Sequence, residues 1–387
     1  ATKMMGLRRP EISNILIFVI IIRVIVMLMG HYLIALPGST ADAQTYDREA
    51  WKIAQNGFFS LFDHYPGPSA RFISWIIAIP YSLLERSVLM AQSISLFLSI
   101  LCIYLGYKIT EILWNKNCAK KVAWLITLFP SLILYSVLIM REVYVCFFLL
   151  VAILGVVNWS KFKNLRSITL ALFGFVAATF FHGAIIIGGL VFSFYVGFSS
   201  IKNFIKRITK SRVNIKLLFI ALISLGVCIA YFLNLITVPY LGNFENSLDN
   251  SNLLRKTYFS TQGNASYPEW TIPKTPIEII YKGPIRSIYF MFAPFVWNVK
   301  SAVHLIGVFD GLLYMYLFIL ILKNIKSIWK DESLRLVFII LLSYILIFGI
   351  GVGNFGTSVR HRSKFVILFF LLIAPWIKKF IFFKKNV

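Results

Sequence analysis

Against a strongly apolar background, a small set of residues has the chemistry to act: the carboxylates of Asp42, Asp47 and Glu142, and the basic groups of Arg141, His182, Arg286, Arg360, His361, Arg362 and Lys364. A carboxylate can take a proton from an attacking hydroxyl, and a histidine can relay one. The planar guanidinium of arginine matches phosphate oxygens two at a time. Fixed cations also stabilise negative charge that develops on a leaving phosphate. These groups lie in five separated parts of the chain, so larger elements must bring them together.

Those elements are membrane spans. Hydrophobic side chains make up 59% of the 387 residues and charged ones only 14%, with a mean hydropathy of +0.79, which is far too apolar for a soluble domain. The expected fold is an all-α, polytopic integral membrane protein forming a single transmembrane domain over residues 1–387. About ten spans are expected, at 14–36, 88–107, 119–139, 143–159, 167–181, 184–199, 216–236, 302–322, 335–353 and 364–380. Each is close to the roughly 17–25 residues that cross a bilayer. The apolar stretch from Arg71 to Leu84 contains Pro80 and is short, so it is expected to lie at the interface. The run Ile288–Trp297, with Pro294, is expected to do the same.

The net charge of +24 does not indicate nucleic acid, because the basic residues cluster between spans and not on one surface. They report topology. With Lys3, Arg8 and Arg9 inside, the other inside segments become Lys108–Lys121, Lys161–Arg166, Lys202–Lys216, Lys323–Arg335 and Lys378–Lys385. Together these hold 24 of the 39 Lys and Arg residues, as the positive-inside rule requires. The expected placement is therefore multi-pass in a cell inner membrane with both termini cytoplasmic. Two large outer loops, 37–87 and 237–301, then face the periplasm together with the chemical groups named above. The four cysteines suggest no disulfide framework and no metal-ligand spacing.

Each candidate has a bland alternative. Asp42 stands four residues before Tyr46, in a segment where Tyr46, Ala50, Ile53 and Ala54 have the spacing of a short surface helix. It is either a general base or the cap of that helix. Asp47 is expected on the solvated face. Arg141 and Glu142 interrupt an apolar stretch from Val122 to Val157, as turn-forming charges or as a functional pair, and His182 occupies the equivalent turn of the next hairpin. Arg360, His361, Arg362 and Lys364 put cations on the outer side, where the charge bias disfavours them, which suggests phosphate binding, and Arg286 is grouped with them. Snorkelling side chains are the bland alternative for this loop. Arg23 and Asp310 lie within spans and are able to pair with each other.

The segment Asp42-Ala-Gln-Thr-Tyr46 with Ala50 and Ala54, followed by Pro66 and Pro68, and then Phe129-Pro-Ser-Leu-Ile-Leu-Tyr-Ser136 leading to Arg141-Glu142, resembles the GT-C superfamily of membrane glycosyltransferases. Bacterial relatives of the family 39 mannosyltransferases are the most similar. The likeness covers roughly the first 200 residues. It implies that Asp42 matches the acid of the first outer loop and Glu142 the second outer-face acid. In the family the first acid stands in an Asp-Glu or Asp-aromatic context, whereas Ala43 follows it here. No cofactor is assigned, and a divalent metal is the one the resemblance leaves open. Gly356-Thr-Ser-Val-Arg-His-Arg362 is similar to stretches in membrane proteins of bacterial surface-polysaccharide clusters.

The function these features imply is transfer of sugar or glycan repeat units from a polyprenyl-(pyro)phosphate donor at the outer membrane face, in O-antigen or exopolysaccharide assembly, either as the repeat-unit polymerase or as a single-sugar transferase. The implied partners are a polyprenyl-linked donor and acceptor, membrane lipids and other polysaccharide-assembly proteins, and no nucleic acid. A flippase for lipid-linked oligosaccharide is the alternative of a different class.

Overall fold

The computed structural model describes residues 10–208, 265–299 and 302–377, with a few isolated positions between 226 and 261. The expected span 216–236, Cys228, the terminal basic clusters and, apart from a few positions, the first part of the second outer loop (237–264) fall outside the described residues. What is described is all-helical, with no strand. A single bridge between Ser266 and Asn354 is the exception to helix.

Six helices are long and apolar enough to cross a bilayer, or seven if one bent pair counts as a span. Helix α1 (Pro10–Tyr32) shows the reason. Ile12, Leu16, Val19, Arg23 and Met27 form a buried stripe, while Ile17, Ile21, Ile25 and Leu28 are exposed. An exposed apolar face on a helix that is apolar all round suits lipid and not water. The chain is a multi-pass helical membrane protein.

A short helix α2 (Asp42–Ala54) follows, then one turn, α3 (Ser60–Asp63), and the 13-residue α4 (Phe72–Leu84). Helix α2 buries Ala43, Tyr46, Asp47, Ala50 and Ala54, the face its spacing predicts. At 1.5 Å per residue α4 is about 20 Å long, short of the roughly 30 Å hydrocarbon core. Asp47 departs from expectation. It is 5% exposed, accepts from Tyr81 Oη at 2.7 Å and pairs with Arg86 at 2.5 Å. It therefore anchors α2 to α4 and is not a solvated charge.

Helices α5 (Val88–Leu113), α6 (Lys116–Leu128) and α7 (Pro130–Ser136) come next. The expected span 119–139 is broken, with α6 and α7 bent by 62°. The cause is Pro130, which lacks an N–H and drives Phe129 out of the helical region, to ψ 121°. Residues 137–140 then run non-helically through the interior before α8 (Arg141–Phe162) begins.

Helix α8 is the centre of the bundle. It packs against α9 (Leu165–Phe181) with nothing between the backbones. A Cβ on Gly155 would lie 2.4 Å from Ala171 N, and one on Gly174 2.4 Å from Ala152 N. Small residues permit such close approach where the hydrophobic effect between helices is absent. The ends of α8 are polar. Glu142 lies at one end. At the other, Lys161 and Lys163 pair with Asp331 at 3.0 Å and Glu332 at 2.7 Å.

The remaining helices are α10 (Ile186–Ile208), α11 (Pro276–Phe292), α12 (Ala302–Lys323), α13 (Ile325–Lys330), α14 (Glu332–Gly351), α15 (Phe355–Arg362) and α16 (Val366–Ile373). The segment 288–297, expected at the interface, forms the end of α11 and a 3-10 turn at Val296–Asn298. Of the expected last span 364–380, residues 364–377 are described: α16, about 12 Å long and buried on every side, runs into a 3-10 turn at Ala374–Trp376. It is a core helix enclosed by its neighbours. Span 167–181 corresponds to α9, a 17-residue apolar helix.

The α8–α9 contact generates a prediction. Gly155→Leu or Gly174→Leu forces the backbones apart and should lower stability by about 1–3 kcal/mol, read as a fall in melting temperature in detergent. Gly351→Leu, where a Cβ meets nothing within 4 Å, should leave melting unchanged.

Candidate functional site

Asp42, Arg141, Glu142, His182, Arg360, His361 and Lys364 meet at one end of the bundle. Three backbone features aim them. Helix α2 opens at Asp42 and α8 opens at Arg141, so both acids stand in first turns, where the helix dipole favours negative charge. Helix α15 is started by Asn354, whose side chain accepts from Gly356 N at 2.9 Å. Its register is pinned from outside, since Phe355 N donates to Ala265 O and Tyr267 N to Gly353 O, both at 2.8 Å. Tyr267 Oη adds a 2.5 Å bond with Ser358 Oγ. The last turn of α15 thereby presents Arg360 to both acids.

Arg360 is the hub. Its Nε donates to Glu142 Oε1 at 2.6 Å, its Nη1 donates to Asp42 Oδ2, and its Nη2 approaches Tyr46 Oη at 3.5 Å. Burial alone would lower its pKa, but the Glu142 and Asp42 carboxylates more than compensate and hold it above the ordinary arginine value. Lys364, one helical turn further on, places Nζ 3.5 Å from Glu142 Oε1 and 2.5 Å from His361 Nδ1. The His361 ring lies 4.9 Å from that of His182, centroid to centroid.

The two acids are not equivalent. Side-chain exposure is 47% for Asp42 and 2% for Glu142, so Asp42 faces the outside and Glu142 the interior. Asp42 makes no capping bond, since the residue before the helix is Ala41 and no side chain caps it. That removes its bland alternative. Glu142 Oε2 has no hydrogen-bond partner and borders, with Tyr135 and Arg23, a chamber of about 20 Å³, enough for one water molecule.

Arg141 is placed differently from the other cations. Its Nε is buried without a partner, and Nη1 makes one long 3.4 Å bond to Phe181 O. Three basic groups, Arg141, Arg360 and Lys364, therefore face two carboxylates among the described residues. Burial pushes the Lys364 ammonium well below the usual lysine range, against the pull of the Glu142 carboxylate, and Arg141 is the basic group without a carboxylate bond.

Arg286 and Arg362, expected among the phosphate ligands, are not part of this cluster. Arg362 is fully buried. It donates to Asp310 Oδ2 at 2.8 Å and to the carbonyls of Met291 at 2.7 Å and Ala293 at 3.2 Å, over the Tyr314 ring. Arg286, also buried, donates to Val352 O at 2.8 Å and Ile350 O at 3.3 Å, the carbonyls at the end of α14. These guanidiniums close helix ends and join α11, α12 and α14. Asp310 thus pairs with Arg362, and the expected Arg23–Asp310 pair does not form. Arg23 instead donates to Ile126 O at 3.1 Å.

The signal that separates Arg360 from Arg362 was present in the helical period. Residues two apart point to nearly opposite faces, whereas 360 and 364 share one. Among the described residues no three His, Cys, Asp or Glu side chains are grouped to hold a metal. The two acids converge on a guanidinium, so the divalent metal left open by the resemblance has no donor set here. Two features were missed: the Asp47–Tyr81–Arg86 anchor and Gln92, which is buried at the wall of a neighbouring cavity.

The fold and the site together define a multi-pass helical membrane protein with a mixed-charge cluster at one end of its bundle. Comparison of the chain with protein-family models, with curated proteins and with solved structures finds no match in any of the three.

The histidines yield a pH prediction. Burial first, and then the Lys364 charge, pushes the pKa of His182 and of His361 well below the usual value near 6.5. Both are neutral in the folded protein while the unfolded chain protonates near 6.5. The unfolded state binds more protons below that pH, so their contribution to stability is complete above it and declines as pH falls. Melting temperature in detergent should drop between pH 7 and pH 5. That drop should be smaller in His361→Gln.

Proposed function

We propose that this chain is a membrane glycosyltransferase of GT-C type, moving sugar or glycan units from a polyprenyl-(pyro)phosphate donor to an acceptor hydroxyl at the periplasmic face of the inner membrane, in surface-polysaccharide assembly. One observation carries the reading. The acids that open two separate helices, Asp42 and Glu142, meet on Arg360, with Arg141 beside them and bonded to neither.

The division of labour follows from exposure. Asp42 is the acid an acceptor can reach, and as a carboxylate held by Arg360 it takes the hydroxyl proton as the sugar is attacked. Arg141, with an unpartnered Nε, receives the donor phosphate, and Lys364 and Arg360 add positive charge as the phosphate leaves. Glu142 is the positioning acid, buried behind Arg360 and fixing both basic side chains. His361 and His182, neutral at physiological pH, carry a proton between Lys364 and the next turn. The donor's lipid chain lies along the apolar exposed helix faces.

Asp42→Asn tests this. Its partly exposed ion pair is worth no more than about 1 kcal/mol, so the protein should fold normally. Transfer from a polyprenyl-diphosphate-linked glycan in nanodiscs should fall by roughly 10²–10⁴ in kcat. Arg141→Ala should weaken binding of the polyprenyl-phosphate carrier, with Arg141→Lys intermediate. Unchanged transfer in Asp42→Asn would remove the base assignment. Movement of intact donor between leaflets without any new glycosidic bond would favour the flippase.

A further inference from the structure

On the face of α2 next to the charged cluster lies a cavity of about 550 Å³, walled by the end of α1, by α2 and by the start of α5. Its size is in the range of small-molecule sites. Successive residues of α2 turn by about 100°, so Asp42 and Tyr46 face Arg360 while Ala43 and Asp47 face this cavity. Leu138 and Ile139, just before Arg141, line it too. The two elements that carry the acids therefore also form its walls.

The cavity has a built polar wall. Gln92 is 6% exposed and borders the cavity; its Oε1 has no hydrogen-bond partner and almost no accessible surface, so a turn of the amide is what brings the oxygen to the cavity. Such a group costs free energy until a donor arrives. The charges around it are already engaged: Arg86 with Asp47 at 2.5 Å, and Arg48 Nη2 with Gln44 Oε1 at 3.2 Å. His31 and Ser39 add polar groups, and Leu33, Ile34 and Val88 add apolar surface. An anion cannot satisfy an unpaired acceptor oxygen, whereas a hydroxyl both donates and accepts and so suits either orientation of the amide. Polar edges beside apolar patches match the two kinds of surface on a sugar ring.

We infer that this cavity binds the acceptor, a neutral hydroxyl-rich glycan, with Gln92 as its buried hydrogen-bonding residue. The inference rests on the transferase reading for the word acceptor and on the cavity alone for the ligand's chemistry. An occupant longer than the cavity runs over the N-terminal end of α2, where half-exposed Asp42 stands, and this brings its terminal hydroxyl to the base.

The test labels Ser39→Cys in the full-length protein in nanodiscs with a small water-soluble thiol reagent, with and without a panel of neutral tri- to pentasaccharides. At least one member should slow labelling, and Gln92→Met, close in volume to the amide but apolar, should abolish that protection. A second substitution, Gln44→Met, frees Arg48 and should change protection without removing it. In a transfer assay Gln92→Met should raise the acceptor KM by about threefold to tenfold, the worth of one neutral hydrogen bond, with kcat retained. Protection that survives Gln92→Met, absence of protection by every neutral glycan, or protection by inorganic phosphate or polyprenyl phosphate alone would overturn the proposal. Gln92-dependent protection in a protein that makes no glycosidic bond would uphold the glycan site and sink the transferase reading.

Discussion

The guanidinium of Arg360 lies between two carboxylates that have no other reason to be near each other. Glu142 heads the most buried of the long helices, and a carboxylate there needs a charged partner. Asp42 heads a surface helix packed on α4. The bidentate reach of one side chain joins both to α15. Lys364 reinforces the arrangement from one turn away and fixes His361. Removing the guanidinium would leave the buried Glu142 carboxylate with Lys364 as its one remaining ion-pair partner among the described residues and would cut the link between Asp42 and α15.

Helix α15 is eight residues long, yet its two faces hold different parts of the protein. Arg360 faces the first half of the chain. Arg362, two residues on, faces away and gathers Asp310 of α12 and the carbonyls at the end of α11. The same residue type thus performs two tasks set by helical phase. On one face it is a partly exposed hub between two carboxylates, and on the other it is a fully buried structural joint.

Much of the site was legible in the sequence because charge is costly in a bilayer. Asp42, Arg141-Glu142, His182 and the 360–364 cluster stood out as polar groups on one predicted side, and six of those residues plus Lys364 do converge. The buried stripe of α2 was readable from its spacing. Arg286 and Arg362 were misread because topology reveals the side of a charge and not its partner, and backbone carbonyls leave no mark in a sequence. Asp47 was misread for the same reason, since Tyr81 and Arg86 approach it from another helix. The broken span at Phe129-Pro130 was visible as a proline but hidden by the uninterrupted apolar run around it. Helix α16 had the composition of a lipid-facing span, and composition does not distinguish a lipid neighbour from a protein one.

The enclosure of α16 bears on how the molecule is made. About 12 Å of helix is too short to settle in lipid by itself, and every one of its side chains ends up against other helices. Synthesis runs from the first residue onward, so α1 to α11 reach the membrane before Arg360 and Lys364 do. Until then Glu142 has no cation from the C-terminal part of the chain, and the slot that α16 will fill is open. Completion of the charged cluster and closure of the core are thus a single late event in biogenesis, and a chain halted before residue 360 holds both acids with nothing to organise them.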